Sequence, residues 1–175
     1  MKRFSLVIIA VLLLAGCSQN KNEGEVKEVV RKYTALLAEG YRNLNMNPLS
    51  QVATEERATK AYHHMAALGE ARTKMDAQLK EIKFLNVKFV QGDKAEVKTE
   101  ENWDYTYINI DSGKPEFDNS VAYALTYFLT KKSGKWLVAD ITVEKAEEKK
   151  SSENIFNRPK DKQLPEQKGN DQNRK

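Results

Sequence analysis

The chain has 175 residues, and its 29 lysine and arginine side chains exceed its 25 aspartate and glutamate side chains, giving a formal net charge of +4. This length suits one ordinary domain, and the basic and acidic residues are mixed along the chain, which excludes the basic face that nucleic-acid binding requires. The single cysteine excludes a disulfide within one chain, so stability must come from a packed core.

The chain begins like a secretory signal. Lys2 and Arg3 precede an apolar run over 4–14, and small residues follow it up to Gly16. The segment is too short to cross a hydrocarbon core, which needs about 20 apolar residues. The sequence therefore predicts that residues 1–16 are a signal peptide and that the rest lies outside the cytoplasm.

The only cysteine stands directly after the small residues of that signal. The sequence Leu14-Ala15-Gly16-Cys17 resembles a bacterial lipobox, which implies cleavage after Gly16 and a diacylglyceryl group on the Cys17 thiol. A thiolate is the nucleophile that can form such a thioether, and two or three acyl chains hold a protein stably where one does not. The alternative is a plain secretory signal with an incidental free cysteine. Ser18 follows, as in lipoproteins that travel to an outer membrane where the host has one.

Two helical regions are predicted after the signal. Residues 17–23 are polar and are predicted to form a lipidated tether. From Glu25 the apolar residues recur at spacings of three and four, which indicates an amphipathic helix. An Asn-Pro pair at 47–48 predicts a break, followed by a second helical region over about 48–80 that Gly69 kinks or divides. Its predicted inner residues are Val52, Tyr62, Met65, Ala66, Leu68, Met75 and Leu79.

From Ile82 the hydrophobic period changes to two, which predicts four strands in an antiparallel meander. An irregularity at 85–86 predicts a bulge in the first strand. The fourth strand is predicted over 135–143. Turn signals between the strands lie at 91–93, 111–115 and 131–134.

The fourth strand is apolar on both of its predicted faces. Trp136 and Val138 share one face, and a second apolar set alternates with them. That second set is Leu137, Ala139, Ile141 and Val143. The pattern predicts a sheet packed between the helices and a further partner, which would be an identical subunit or an envelope protein.

The last 32 residues, 144–175, are rich in charged and amide side chains. Their only sizeable apolar residues are Ile155, Phe156 and Leu164. Such a segment cannot bury enough surface to offset its ordering entropy, so a polar disordered tail is predicted.

The last two strands carry a family resemblance. Residues 123–127 (YALTY) and 134–143 (GKWLVADITV) resemble the nuclear-transport-factor-2-like superfamily. The resemblance implies an α+β domain over 24–143, with N-terminal helices packed on a strongly bent, cone-shaped antiparallel sheet of about four strands. More narrowly, the alternation over 97–105 (VKTEENWDY) is similar to the intermembrane-space domain of a plastid-division protein and its bacterial relatives.

Few residues suggest catalysis. Adjacent helical residues point about 100° apart, so His63 and His64 cannot easily hold one metal ion, and no metal site is predicted. Enzymes of the resembled superfamily place a carboxylate, histidine or tyrosine in the cone to move a proton. Asp104, Asp140 and Glu101 are candidates, but each is expected to be exposed on a solvated strand face.

Several aromatic residues predict either a ligand cleft or the core of a bent sheet, because aromatic walls with polar tips suit both. The candidates are Tyr33, Tyr62, Trp103, Tyr105, Tyr123, Tyr127 and Trp136.

Together these patterns predict a lipid-anchored lipoprotein of the cell envelope, with its domain outside the cytoplasm. The domain is predicted to bind or scaffold without catalysing, through the second sheet face, with no nucleic-acid partner and no cofactor besides the lipid on Cys17. One alternative is a carrier that holds a small ligand in the cone. The other alternative is an acid–base enzyme of the same fold.

Overall fold

The computed structural model describes the backbone of residues 2–151 and the side chains of residues 22–149. Helices come first and strands follow, and the helices pack on one face of a four-stranded antiparallel sheet. This confirms the predicted α+β class. The elements are α1 (Lys2–Asn43), a 3₁₀ helix (Asn47–Gln51), α2 (Glu55–Glu70), β1 (Thr73–Val90), β2 (Lys94–Asn109), β3 (Pro115–Lys132) and β4 (Lys135–Ser151).

The sheet is a meander in the order β1-β2-β3-β4, with β1 and β4 at its edges. The three predicted turns are confirmed. The tightest is Ser133-Gly134, where both residues are left-handed, with φ of 48° and 79°. Two left-handed residues match the right-handed twist of the strands they join, and Gly134 adopts this conformation without a steric cost.

Two bulges bend β1. Its pairing with β2 skips Lys80 and Leu85, which confirms the irregularity predicted at 85–86. Each extra residue shifts the alternation by one, so the residues on the inner face change from odd to even numbers and back again. The inner residues in order are Met75, Ala77, Leu79, Ile82, Phe84, Val87 and Phe89.

A bulge in β4 changes which of its residues point toward the helices. Val138 pairs with Leu129 and Asp140 pairs with Phe128, which leaves Ala139 without a partner. The alternation changes at this point, so Ile141, opposite Tyr127, returns to the inner face that Val138 occupies. Ile141 and Val143 therefore lie on the same face as Trp136 and Val138, and their predicted place on a second apolar face is wrong. Leu137, which pairs with Thr130, stays on the outer face.

The core lies between this inner face and the helices. From α1, Val26, Val30 and Tyr33 are fully buried. The chain after the 3₁₀ helix also pairs with β4, since Val138 N–H donates to Val52 O at 2.8 Å and Thr54 N–H donates to Val138 O at 2.9 Å. This contact covers part of an edge strand that would otherwise expose its backbone.

The predicted second helical region is too long. Helix α2 ends at Glu70 and β1 begins at Thr73, so Met75 and Leu79 lie on a strand. These two residues are four apart, a spacing that fits a helical stripe and also a strand's alternation. Gly69, which was predicted to kink or divide the helical region, lies one residue before the end of α2. The chain turns instead at Arg72, whose φ is 57°.

Two other boundaries differ from the sequence prediction. Strand β4 continues to Ser151, so its predicted end at Val143 is wrong, because backbone pairing with β3 does not require apolar side chains. Residues 152–175 of the predicted tail lie outside the described residues. Helix α1 includes the predicted tether 17–23. Among the described residues, no helix is long and apolar enough to span a membrane.

Candidate functional site

The helices cover only part of the inner face of the sheet. Toward the β2–β3 turn, that face opens into a cleft of about 390 Å³ between the sheet, α1 and α2. We call it the aromatic cleft, because seven of its lining residues are aromatic: Tyr33, Tyr41, Trp103, Tyr105, Tyr107, Tyr123 and Tyr127. Its charged and polar lining residues include Arg57, His64, Glu101 and Asn119.

The wall of the cleft follows from the alternation of β2, whose odd-numbered residues all point inward. Trp103 and Tyr105 stack with ring centroids 6.0 Å apart and planes 8° apart. Burial raises the pKa of the Tyr105 and Tyr107 hydroxyls. Both phenols therefore stay neutral at ordinary pH, and the Tyr105 hydroxyl shares a hydrogen bond with Tyr123.

Glu101 forms the floor of the cleft and is only 2% exposed. Its Oε1 accepts hydrogen bonds from Thr99 Oγ1 at 2.9 Å and Tyr127 OH at 2.8 Å, and its Oε2 accepts one from Trp103 Nε1 at 2.7 Å. The expectation of an exposed carboxylate is wrong here. Glu101 belongs to the inward-pointing set of β2, where these fixed donors take the place of water.

A chain of contacts links this floor to α2. Arg57 Nε donates to Tyr33 OH at 2.7 Å, and the Tyr33 ring meets the Tyr127 ring edge-on at 6.2 Å. Burial raises the pKa of Tyr33, and burial together with the nearby Glu101 charge raises that of Tyr127. Two neutral phenols thus separate one cation from one anion. Among the described residues, no carboxylate lies within ion-pair distance of Arg57.

The two histidines lie in different surroundings. His64 borders the cleft, where its Nδ1 shares a 2.6 Å hydrogen bond with Tyr41 OH. Burial lowers the pKa of His64, which keeps the ring neutral at neutral pH. Both histidines are partly open to solvent, and the His63 ring meets the Tyr62 ring edge-on at 5.8 Å. No group of three metal-binding side chains occurs in the described part of the chain.

Five of the seven candidate aromatics line the cleft: Tyr33, Trp103, Tyr105, Tyr123 and Tyr127. Trp136 is buried in the core at the other end of the sheet, 6.0 Å from the Phe89 ring. Tyr62 lies in neither the cleft nor the core. It is on the outer side of α2 and is 51% exposed, so the prediction that it is an inner residue of the helix is wrong.

Other lining residues were not predicted as site residues. Tyr41 could have been predicted from the sequence to face inward, since it continues the apolar stripe of α1. Arg57 and Asn119 could not have been predicted, because only the folded chain brings them to the cleft. Of the other two carboxylates, Asp140 is exposed as expected, whereas Asp104 is half-buried. Asp104 accepts a hydrogen bond from Ser120 Oγ at 2.6 Å, and Asp140 lies 3.6 Å from Lys60 Nζ.

The fold is similar to a known structure, the intermembrane-space region of the chloroplast protein ARC6. The two chains share 12% sequence identity with a TM-score of 0.61, and the match covers 67% of this chain and 92% of that one. It confirms, at the level of fold, the predicted similarity to the intermembrane-space domain of a plastid-division protein. No protein family matches the sequence, and no curated protein matches it either.

Proposed function

We propose that this protein is a membrane-anchored lipoprotein that binds a partner outside the cytoplasm, without catalysis, through the aromatic cleft. The observation that carries the proposal is the cleft itself: a concave surface of about 390 Å³ with seven aromatic lining residues. Half-buried tyrosines offer apolar contact and a hydrogen-bonding tip together, which suits reversible recognition.

The proposed anchor rests on the sequence before the domain. The signal-like residues 1–16 and the lipobox-like Leu-Ala-Gly-Cys support an acylated Cys17 at the start of the mature chain. The structural neighbour is the intermembrane-space region of its own protein, so that region also lies in a compartment bounded by membranes. The helices and the bent sheet also suit the cone of the nuclear-transport-factor-2-like superfamily, to which we assign the domain.

The geometry of the carboxylate favours binding over acid–base chemistry. Glu101 accepts hydrogen bonds from three fixed donors within the protein. Such a carboxylate holds Trp103 and Tyr127 in place and is poorly available to exchange a proton with a ligand.

The aromatic cleft replaces the outer sheet face as the proposed contact surface. Two of the four residues predicted for the outer face, Ile141 and Val143, belong to the inner face. Val143 is 56% exposed there, at the open side of the cleft. A partner that covers this side would bury it together with the neighbouring tyrosines.

Photo-crosslinking of the full chain in its native membrane tests the site. A crosslinking amino acid replaces Tyr107 in the cleft or, as the control, Leu85, which is 57% exposed on β1. We expect one discrete adduct from position 107 and none from position 85. An adduct from position 85 alone, or none from either, contradicts the proposed site.

A second candidate is a small-ligand carrier. The volume of the cleft falls within the range of about 300–1,000 Å³ that is common for ligand pockets. Native mass spectrometry of the purified lipidated chain would then find a bound small molecule. Adding that molecule back should raise the unfolding free energy in a saturable way.

The anchor has its own test. Intact mass and peptide mapping of protein from its native host should show a diacylglyceryl group on Cys17 and no residues before it. The variant Cys17→Ser should keep residues 1–16, since serine provides no thiolate, whereas the control Ser18→Ala should be processed normally. An unmodified Cys17 thiol in the native protein contradicts the anchor.

A further inference from the structure

Four lysines gather at one end of the sheet. The β1–β2 and β3–β4 turns lie side by side there, and Lys131 N–H donates to Asp93 O at 2.7 Å. This contact unites two segments that are far apart in sequence. We call the group the lysine end; its members are Lys94, Lys131, Lys132 and Lys135.

The two turns of the lysine end are flanked by four lysines and contain one acidic residue, the exposed Asp93. Within the described residues, none of the four lysine side chains has a carboxylate within 4.0 Å, and Lys94, Lys132 and Lys135 are exposed. The nearby Glu96 pairs with Lys88 instead, at 3.9 Å.

The opposite end of the sheet is different. Arg72 pairs with Asp111 there, and Arg42 pairs with Asp76 at 2.7 Å. Among its described residues, the domain therefore carries a cluster of four lysines without ion pairs at one end, whereas the opposite end combines these two ion pairs with two separate lysines, Lys74 and Lys114.

Helix α1 points its N-terminus toward the lysine end. Arg42, in its last turn, contacts Asp76 near the start of β1, whereas Arg31 lies 4.7 Å from the ring of Phe84, farther along that strand. The helix and the strand thus run in opposite directions, and β1 ends at the turn that forms part of the lysine end.

The N-terminal part of α1 and the last residues of β1 also extend a similar distance toward the lysine end. Lys27 lies 5.8 Å from the Phe84 ring, and ten further helical residues from Lys27 to Cys17 advance about 15 Å. Six strand residues from Phe84 to Val90 advance about 20 Å. An acyl group on Cys17 would therefore bring the lysine end close to the bilayer surface.

We infer that the lysine end lies against an anionic bilayer surface and acts as a second attachment beside the lipid. This inference rests on the proposed acylation of Cys17. A lysine near such a surface favours the bound state by about fivefold, and the attraction fades within about 10 Å at moderate salt. The contact would orient the domain so that the aromatic cleft, toward the opposite end, faces the aqueous space.

Site-resolved lysine acetylation of the full lipidated chain tests the contact. The chain is reconstituted in neutral phosphatidylcholine vesicles and in vesicles that also contain phosphatidylglycerol, and peptide mass spectrometry gives a labelling rate for each lysine. We expect labelling at the lysine end to be about fivefold slower on the anionic vesicles. Lys74 and Lys114, toward the opposite end, should react equally on both, and high salt should abolish the difference.

Two double variants with the same loss of charge sharpen the test. Lys132→Gln with Lys135→Gln should remove the protection of the remaining Lys94, whereas Lys74→Gln with Lys114→Gln should preserve it. Equal rates on both vesicles, or equal protection at both ends, overturn the inference. The intact mass of the same sample reports acylation: an acylated chain with equal rates overturns only the membrane contact, and a chain without the acyl group overturns the anchor.

Discussion

One inner sheet face produces a dry core at one end and an open cleft at the other. In the covered half, Val97 and Val138 are fully buried under the helices. In the open half, Tyr107 and Tyr123 are half-buried and Val143 is 56% exposed. The strands and their alternation are the same in both halves. The difference teaches that the strands define which residues point inward, whereas the helices decide which of these meet solvent.

Glu101 lies at the border between the two halves. Its three hydrogen-bond donors come from Thr99, Trp103 and Tyr127, so one carboxylate fixes side chains of two strands. The aromatic cleft therefore depends on a buried polar cluster as well as on apolar packing.

The largest expected effect comes from removing the Glu101 carboxylate at this border. Glu101→Ala leaves three buried donors without a partner and should lower the free energy of unfolding by roughly 4 kcal/mol. Glu100→Ala, on the exposed face of the same strand, is the control and should change it by less than about 0.5 kcal/mol. Urea unfolding followed by far-UV circular dichroism measures both. A loss below about 1 kcal/mol for Glu101→Ala would show that the cluster does not stabilise the fold.

The next effect compares the halves directly. Val138→Ala removes fully buried methyl groups from the covered half and should cost about 2 kcal/mol. Val143→Ala makes the same change in the same strand of the open half and should cost less than about 0.5 kcal/mol, since that side chain is 56% exposed. The same urea titration compares the variants. Equal losses would mean that something covers the open half in solution.

The smallest effect is a pH dependence in the open half. Burial lowers the pKa of His64 below its value of about 6.5 in an unfolded chain, so the unfolded chain binds this proton more readily. The stabilisation is therefore complete above about pH 6.5 and is lost as the pH falls through the lower, folded pKa. Because His64 is partly exposed, the change should stay below about 1 kcal/mol.

Paired histidine variants isolate this titration. His64→Gln should flatten the dependence of the unfolding free energy on pH between about 5 and 7, whereas the adjacent His63→Gln should leave the slope unchanged. A slope that survives His64→Gln would assign the titration to another group.

Prediction from the sequence succeeded where one local pattern determined the outcome. The first helix, the three turns and the bulge at 85–86 each have a clear local signal. Prediction failed where two structures share one pattern. The spacing of Met75 and Leu79 fits a helix and a strand, and the change of alternation in β4 fits two apolar faces as well as one face with a bulge at Ala139.

The candidate site was predicted only in part, for a similar reason. Alternation along β2 grouped Glu101 with the inward-facing Trp103 and Tyr105, but a carboxylate was still expected in solvent, because the sequence does not show that Tyr127 of another strand also donates to it. Arg57 enters the cleft from another element, so its role depends on packing between elements that are distant in sequence.

The sequence by itself determined the order of helices and strands, the turns and the lipobox-like start, because each depends on neighbouring residues. The tertiary structure alone decided that the inner face divides into a core and a cleft, that Glu101 is buried, and that four lysines meet at one end. Burial and charge depend on which distant segments approach each other, and hydrophobic periodicity does not specify those approaches.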